Sequence, residues 1–523
     1  MLALPLFLTS CEGTLDDIFG EWSKPVAKPN ETPSDPSSDK TVTKITVDLS
    51  GIDAKYKNDA GDQLKLALGD QVTLSFEILP AEAAGTEVTL TSGDPNIVSI
   101  EGLKVTAAGL GTTTVTAKAG DQTATLTVAI VAINLAAITP NVGTTEYNVS
   151  SDAILTGTLA ENYKISIADG VSVTLKDVTI NGTNNSSCQW AGITCAGNAT
   201  IILEGENTVK GFYRDYPGIF IAEGKTLVIK GAGKLEASSN NAAAGIGGGW
   251  AINCGNIEIQ GGIITANGGY SCAGIGTGHN ATCGTITISD GSVTAKGGFR
   301  AAGIGSGTAG SDGTATCGNI TISGGSVDAT GNDSGAGIGC GGTSYEGTAI
   351  CGDIIISDGE VIAKGGAAGI GSGATSRGKS QCGNITISGG TVTATGGSYV
   401  GSAGIGSSLD NSTSGSSKGG SICGDILISG GTVTATGSSF YISGMGDKAA
   451  AAIGSGVLKD NTTNGHTECG NINITAAVTL VTATRTNDSA QYIGKGYQST
   501  CGTVSIDGAL TDGTSGNTRT IHH

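Results

Sequence analysis

The chain places thirteen cysteines, 45 acids and 27 Lys or Arg among 523 residues, and the cysteines are the most regular of these. Eight of them open the same motif, Cys-Gly-x-Ile/Val-x-Ile, at Cys254, Cys283, Cys317, Cys351, Cys382, Cys423, Cys469 and Cys501. No Cys-x2-Cys pair occurs, so zinc held at its usual ligand spacing is not expected. A thiol that recurs once per unit is structural rather than nucleophilic. The expectation is a buried column of thiols acting as small hydrophobes. Disulfides are the alternative, since an exported chain permits them. In-register strands, however, hold side chains about 4.8 Å apart, whereas a bridge wants Cβ atoms about 3.8 Å apart.

The acids are scattered. Calcium-assisted elimination on an acidic polysaccharide needs clustered acids and a Lys or Arg base. Asp353 and Asp425 share one repeat position and Asp290 and Asp358 another, with Lys296, Lys364 and Arg300 as the nearest bases. Asp328 falls in the same outward strand column as Lys296 and Lys364, which an ordinary surface ion pair also explains. Hydrolysis would need two close carboxylates, which the sequence does not place. No Gly-x-Ser-x-Gly elbow or His-centred triad appears, and His279 and His466 fall in variable loops.

Aromatic residues are few but patterned. Trp190, Tyr216, Tyr270, Phe299 and Tyr399 each shortly precede an Ala-Gly-Ile or Pro-Gly-Ile run, and Phe440 and Tyr441 precede a later one. In register they would line one edge, either as cover for a corner or as platforms on which sugars stack. Insertions between the Ile anchor and Cys-Gly lengthen toward the C-terminus, and one-sided insertions often form a binding face.

These positions depend on a repeat. Ala-Gly-Ile-Gly or a relative is centred on Ile193, Ile219, Ile246, Ile275, Ile304, Ile338, Ile370, Ile405, Ile453 and Ile493, at gaps of 26 to 48 residues. Such periods signal a solenoid. In Asn384-Ile-Thr-Ile-Ser388 the isoleucines share one face, and in Thr391-Val-Thr-Ala-Thr395 Val392 and Ala394 point inward. Glycine pairs supply the corners. The expected fold is all-β: a parallel β-helix of about ten coils over residues 132–523, with the less regular coils at 150–245 as an N-terminal cap and early turns and 503–523 closing the other end. The repeat resembles right-handed β-helix proteins of the pectate-lyase-like superfamily. That resemblance is specific for fold and not for function, since such coils serve lyases, hydrolases, adhesins and ice binders alike.

Residues 44–131 read differently, as short alternating strands at near-regular spacing, and predict a small β-sandwich. Leu68-Gly-Asp70, Ser92-Gly-Asp94-Pro95 and Gly109-Leu-Gly-Thr112 resemble the bacterial immunoglobulin-like group 2 domain, with Leu90 where that family has a core Trp. Residues 1–10 are apolar and lead to Leu8-Thr-Ser-Cys11, which resembles a bacterial lipobox with Cys11 as the lipidated residue. The acids just after Cys11 resemble export signals of Bacteroides-group surface lipoproteins. Residues 11–43 read as a solvated tether.

A net charge of −18 argues against a nucleic-acid partner. No apolar run is long enough to span a bilayer, so membrane contact is expected through the lipid anchor only. The reading is a surface-exposed outer-membrane lipoprotein that binds polysaccharide or a host or bacterial surface glycan, or mediates adhesion, without catalysis. Alternatives are a polysaccharide lyase or glycoside hydrolase on an acidic polysaccharide, and a purely structural stalk. No cofactor is called for; calcium is the one cation the lyase reading would add.

Overall fold

A computed structural model describes residues 41–523 apart from 59, 139–143, 311, 345, 399, 412–418 and 460–464. Cys11, the apolar leader, nearly all of the tether and Tyr399 lie outside the described residues.

The N-terminal unit is a β-sandwich. Strands Gly111–Ala119 and Gln122–Asn134 pair antiparallel, with Thr89–Ser92 on one side. Leu64–Leu68 pairs parallel to Gln122–Asn134. A second sheet of Gln71–Thr73, Lys104–Ala107 and Val98–Glu101 closes over Leu64, Leu66, Val98, Val105, Val115 and Val128, all buried. Leu90 is only half-buried at the margin of this core.

The rest of the chain is a parallel β-helix with three sheets. The first has twelve strands among the described residues. It begins at Glu146–Val149 and Lys164–Ile167 and continues as two-residue Ile-Gly rungs from Ile246 to Gly494, paired Ile on Ile and Gly on Gly. Twelve strands stand against about ten expected coils, and the early turns expected within 150–245 are stacked coils in that stretch. Its strands keep the apolar alternation without the cysteine and glycine landmarks. The second sheet carries the thiols, Cys283 on Cys317 on Cys351 and onward to Cys501. The third is broad. In the middle coils its two expected strands fuse into one bent strand, such as Ile286–Lys296 and Ile320–Thr330, with the bend at Gly291 and Gly325, where φ is +98° and +76°.

Alternation then fills the interior. Ile286, Ile320, Ile354 and Ile385 form one buried column, and Val293, Val327, Val361 and Val392 another. Each such stack removes nearly the whole aliphatic side chain from water, roughly 1.5–3 kcal/mol per residue. The twelve described thiols are unbridged, eleven of them buried. Several donate to the glycine carbonyl one coil back, as Cys283 Sγ does to Gly255 O at 3.3 Å and Cys501 Sγ to Gly470 O at 3.6 Å. The antiparallel hairpin Thr511–Ser515 and Thr518–His522 pairs with Leu480–Thr484 at the C-terminal end of the stack.

Candidate functional site

Each coil throws out one loop before its Ile-Gly rung and one after it. The two loop series are stitched together across coils: Thr308 N donates to Ser271 O at 3.0 Å, Gly342 N to Arg300 O at 2.7 Å, and Ala374 N to Ser334 O at 2.9 Å. They form a continuous edge running along the solenoid axis. The early loops turn through the left-handed region at Ser271, Arg300 and Asp333, with φ of 63°, 61° and 54°. Gly401 has the same φ, 63°, at the matching place two coils on. Non-glycine residues there are sterically disfavoured.

On this edge Tyr270 and Phe299 stack, with centroids 5.4 Å apart and planes 16° apart. Their exposures of 55% and 37% leave both rings accessible. The Arg300 guanidinium lies 4.9 Å from the Phe299 centroid and its Nε is 3.1 Å from Asp333 Oδ2, which also accepts from Ser334 Oγ at 2.9 Å. Stacked rings beside planar polar groups can hold a ligand that is apolar on one face and hydroxyl-rich at its rim.

Of the other expected aromatics, Tyr399 lies outside the described residues, and Trp190, Tyr216 and Tyr441 do not stack on this pair. Trp190 and Tyr216 stand three residues before their anchors, whereas Tyr270 and Phe299 stand five before theirs. The different offset puts them elsewhere in the loop. The Trp190 ring packs on the buried Phe212, centroids 5.9 Å apart, and against the main core. Tyr216 is half-buried in an early coil. Tyr441 is 65% exposed, but on the antiparallel hairpin Ser439–Ile442 and Gly446–Ala449 rather than on a rung-preceding turn. Among the described residues one pair of the expected aromatics, Tyr270 and Phe299, stacks on this edge. Sequence reading missed a second pair, Trp250 and His279, with centroids 4.0 Å apart. Each stands four residues after its anchor isoleucine, a shared offset that could have marked them. Burial pushes the His279 imidazole below its ordinary value.

The acids serve the backbone. Asp353 Oδ1 accepts the Asn384 N–H at 2.8 Å, Asn384 Oδ1 accepts Asp425 N–H at 2.9 Å, and Asp425 Oδ1 accepts Asn471 N–H at 2.7 Å. Asn319 Oδ1 likewise accepts Asp353 N–H at 2.9 Å. This is a ladder of caps at one corner, which explains why Asn and Asp interchange there. Asp290 and Asp358 each accept from the following glycine N–H, at 2.7 and 2.8 Å. Asp328 meets Lys364 Nζ at 3.5 Å on the exposed broad sheet. Lys296 stands opposite Thr330, one step along from the Thr294–Asp328 pair. Among the described residues no three His, Cys, Asp or Glu gather where a metal could sit. Asp353→Asn should leave the melting temperature unchanged because the acceptor oxygen stays. Asp353→Ala should cost about 1 kcal/mol, seen in urea unfolding; equal losses for both variants would make the charge, not the cap, the relevant property.

Against known protein families, the chain matches Beta helix repeat over residues 227–250, 257–279, 286–308, 320–342, 354–374, 385–409 and 426–457. These segments start in the broad-sheet strands and run through the Ile-Gly rungs, so the repeat in the sequence is the coil in the structure. No curated protein matches the chain.

Proposed function

We propose that the protein is a non-enzymatic glycan-binding or adhesion protein whose solenoid presents the stitched-loop edge to polysaccharide. The observation that carries this reading is the exposed Tyr270–Phe299 stack flanked by Arg300 and Asp333. The stacking distance is close to the strand spacing, so the two rings together offer an aromatic patch spanning two coils, against which a sugar chain can lie. Of the acids that a lyase would recruit, Asp290, Asp353, Asp358 and Asp425 accept backbone N–H groups and Asp328 pairs with Lys364, which favours binding over elimination. In the same reading Cys11 carries a lipid anchor at the outer membrane, residues 11–43 are the tether, and the sandwich is an immunoglobulin-like stalk that holds the solenoid outward.

A glycan array probed with the full chain tests this. Changing Tyr270 and Phe299 together to Ala should weaken any glycan detected by tenfold or more, equivalent to about 1.4 kcal/mol. Unchanged affinity in that double variant would remove the edge from the reading. A chain that binds no glycan at all would leave the structural stalk.

A further inference from the structure

Next to the aromatic pair the edge stops being flat. Between the Arg300–Asp333 pair and the ring of Phe440 lies a pocket of about 190 Å³, walled by Ser334, Thr343, Ser376, Asn411 and neighbouring apolar side chains. It is assembled from loops of successive coils. We propose that this pocket receives a single neutral, hydroxyl-rich ring, the end unit of a chain whose preceding units rest on Phe299 and Tyr270. The proposal rests on the glycan-binding reading and deepens it by naming the class of unit and where it sits.

Three independent observations support it. Thr343 is only 2% exposed, and its hydroxyl has no hydrogen-bond partner; Asn411 Oδ1, on the same wall, is also buried and unpartnered. Buried polar atoms without partners are rare and call for an explanation, and a ligand hydroxyl supplies one. Second, Arg300 is held at φ 61° although glycine occupies the matching turn at Gly401. Keeping a strained arginine where glycine would relax the turn points to a use for the guanidinium. Third, the composition of the wall fits a sugar, with Phe440 and apolar side chains for a ring face and a fork of planar groups for its hydroxyls. Asp333 already balances the charge of Arg300, and the chain carries −18 overall, so a neutral ring is favoured over a uronate.

The test is calorimetric titration of the full chain with glucose, galactose, mannose and xylose, with linear neutral hexasaccharides of each, and with a galacturonate hexasaccharide. Three variants are compared with the parent: Arg300→Gly, Ser376→Trp to fill the pocket, and Tyr270→Ala/Phe299→Ala. Arg300→Gly should not lower the melting temperature, because glycine adopts that φ freely and an exposed ion pair is worth little. It and Ser376→Trp should weaken both the monosaccharide and the hexasaccharide by tenfold or more, while the aromatic double variant weakens the hexasaccharide alone. A hexasaccharide that is lost in the aromatic variant but unaffected by Arg300→Gly and Ser376→Trp overturns the pocket and leaves the edge standing. Tighter binding of galacturonate than of every neutral probe overturns the neutral-ring assignment. Silence from every probe overturns the pocket together with the reading it deepens.

Discussion

Gly305→Ala is expected to destabilise the solenoid by more than about 4 kcal/mol, which places it among the exceptional point substitutions. In the rungs, the glycine after isoleucine has φ of +133° at Gly305, and a Cβ there would stand 2.0 Å from Gly339 O in the next coil. The obstacle is backbone, so no side chain can swing aside. Gly276 and Gly339 meet the same obstacle, at 2.0 Å each, so the rungs leave no slack through which a shift could dissipate. Alanine therefore adds conformational strain of order 1–3 kcal/mol to a contact that only separation of two coils relieves. The check is urea unfolding of Gly305→Ala beside Gly85→Ala in the sandwich, where nothing lies within 4 Å of the added Cβ. The control should stay within about 0.5 kcal/mol of the parent. A Gly305→Ala protein as stable as the control would mean that the coils are not stacked this closely.

Alkaline pH should unfold the protein well before ordinary groups would. Burial pushes the thiols of Cys195 and Cys272 up to about 12, and holds that of Cys254 well above the usual thiol range. A thiol in the unfolded chain ionises near about 8.5. Between those values the unfolded state releases a proton that the folded state retains. The stabilisation is therefore complete below about pH 8.5 and is lost as pH rises toward 12. Each such thiol removes about 1.4 kcal/mol per pH unit. Cys195 and Cys272 alone thus remove about 5 kcal/mol by roughly pH 10.5, which matches the whole stability of many domains. Urea midpoints measured from pH 7 to 11 should fall steeply above 8.5, and Cys272→Ala should flatten that slope by about one proton. Iodoacetamide at pH 8 should leave the buried thiols unmodified until denaturant is added. A midpoint independent of pH up to 10.5 would contradict the burial of the thiols.

What was legible in the sequence is what the strand period writes into it. Ile385 and Ile387 alternate with polar residues, and Cys382 recurs at a fixed offset from them, so the columns follow once the coils are in register. The early coils were harder to read because Ile165, Ile193 and Ile219 stack like later rungs while lacking the Cys-Gly landmark one step away. The edge was legible only in part. A loop residue is placed by its count from the anchor, and aromatics at offsets of three and five residues look alike in a list yet land on different surfaces. The corner acids misled for another reason. A carboxylate and a carboxamide offer the same acceptor oxygen to a backbone N–H, so Asp353 suggested chemistry where Asn384 shows capping. The pocket beside Arg300 combines loops separated by more than a hundred residues, and no local pattern announces it.

The strand Gln122–Asn134 belongs to both bodies: its first part closes the sandwich against Gly111–Ala119, and its end pairs in parallel with Ala153–Thr158 of the solenoid. The joint is a shared beam, not a swivel. Tension applied through the sandwich reaches the coils along this strand, where parallel hydrogen bonds must slide together instead of opening one by one like a zip. Such a junction resists pulling along the strand far better than it resists peeling.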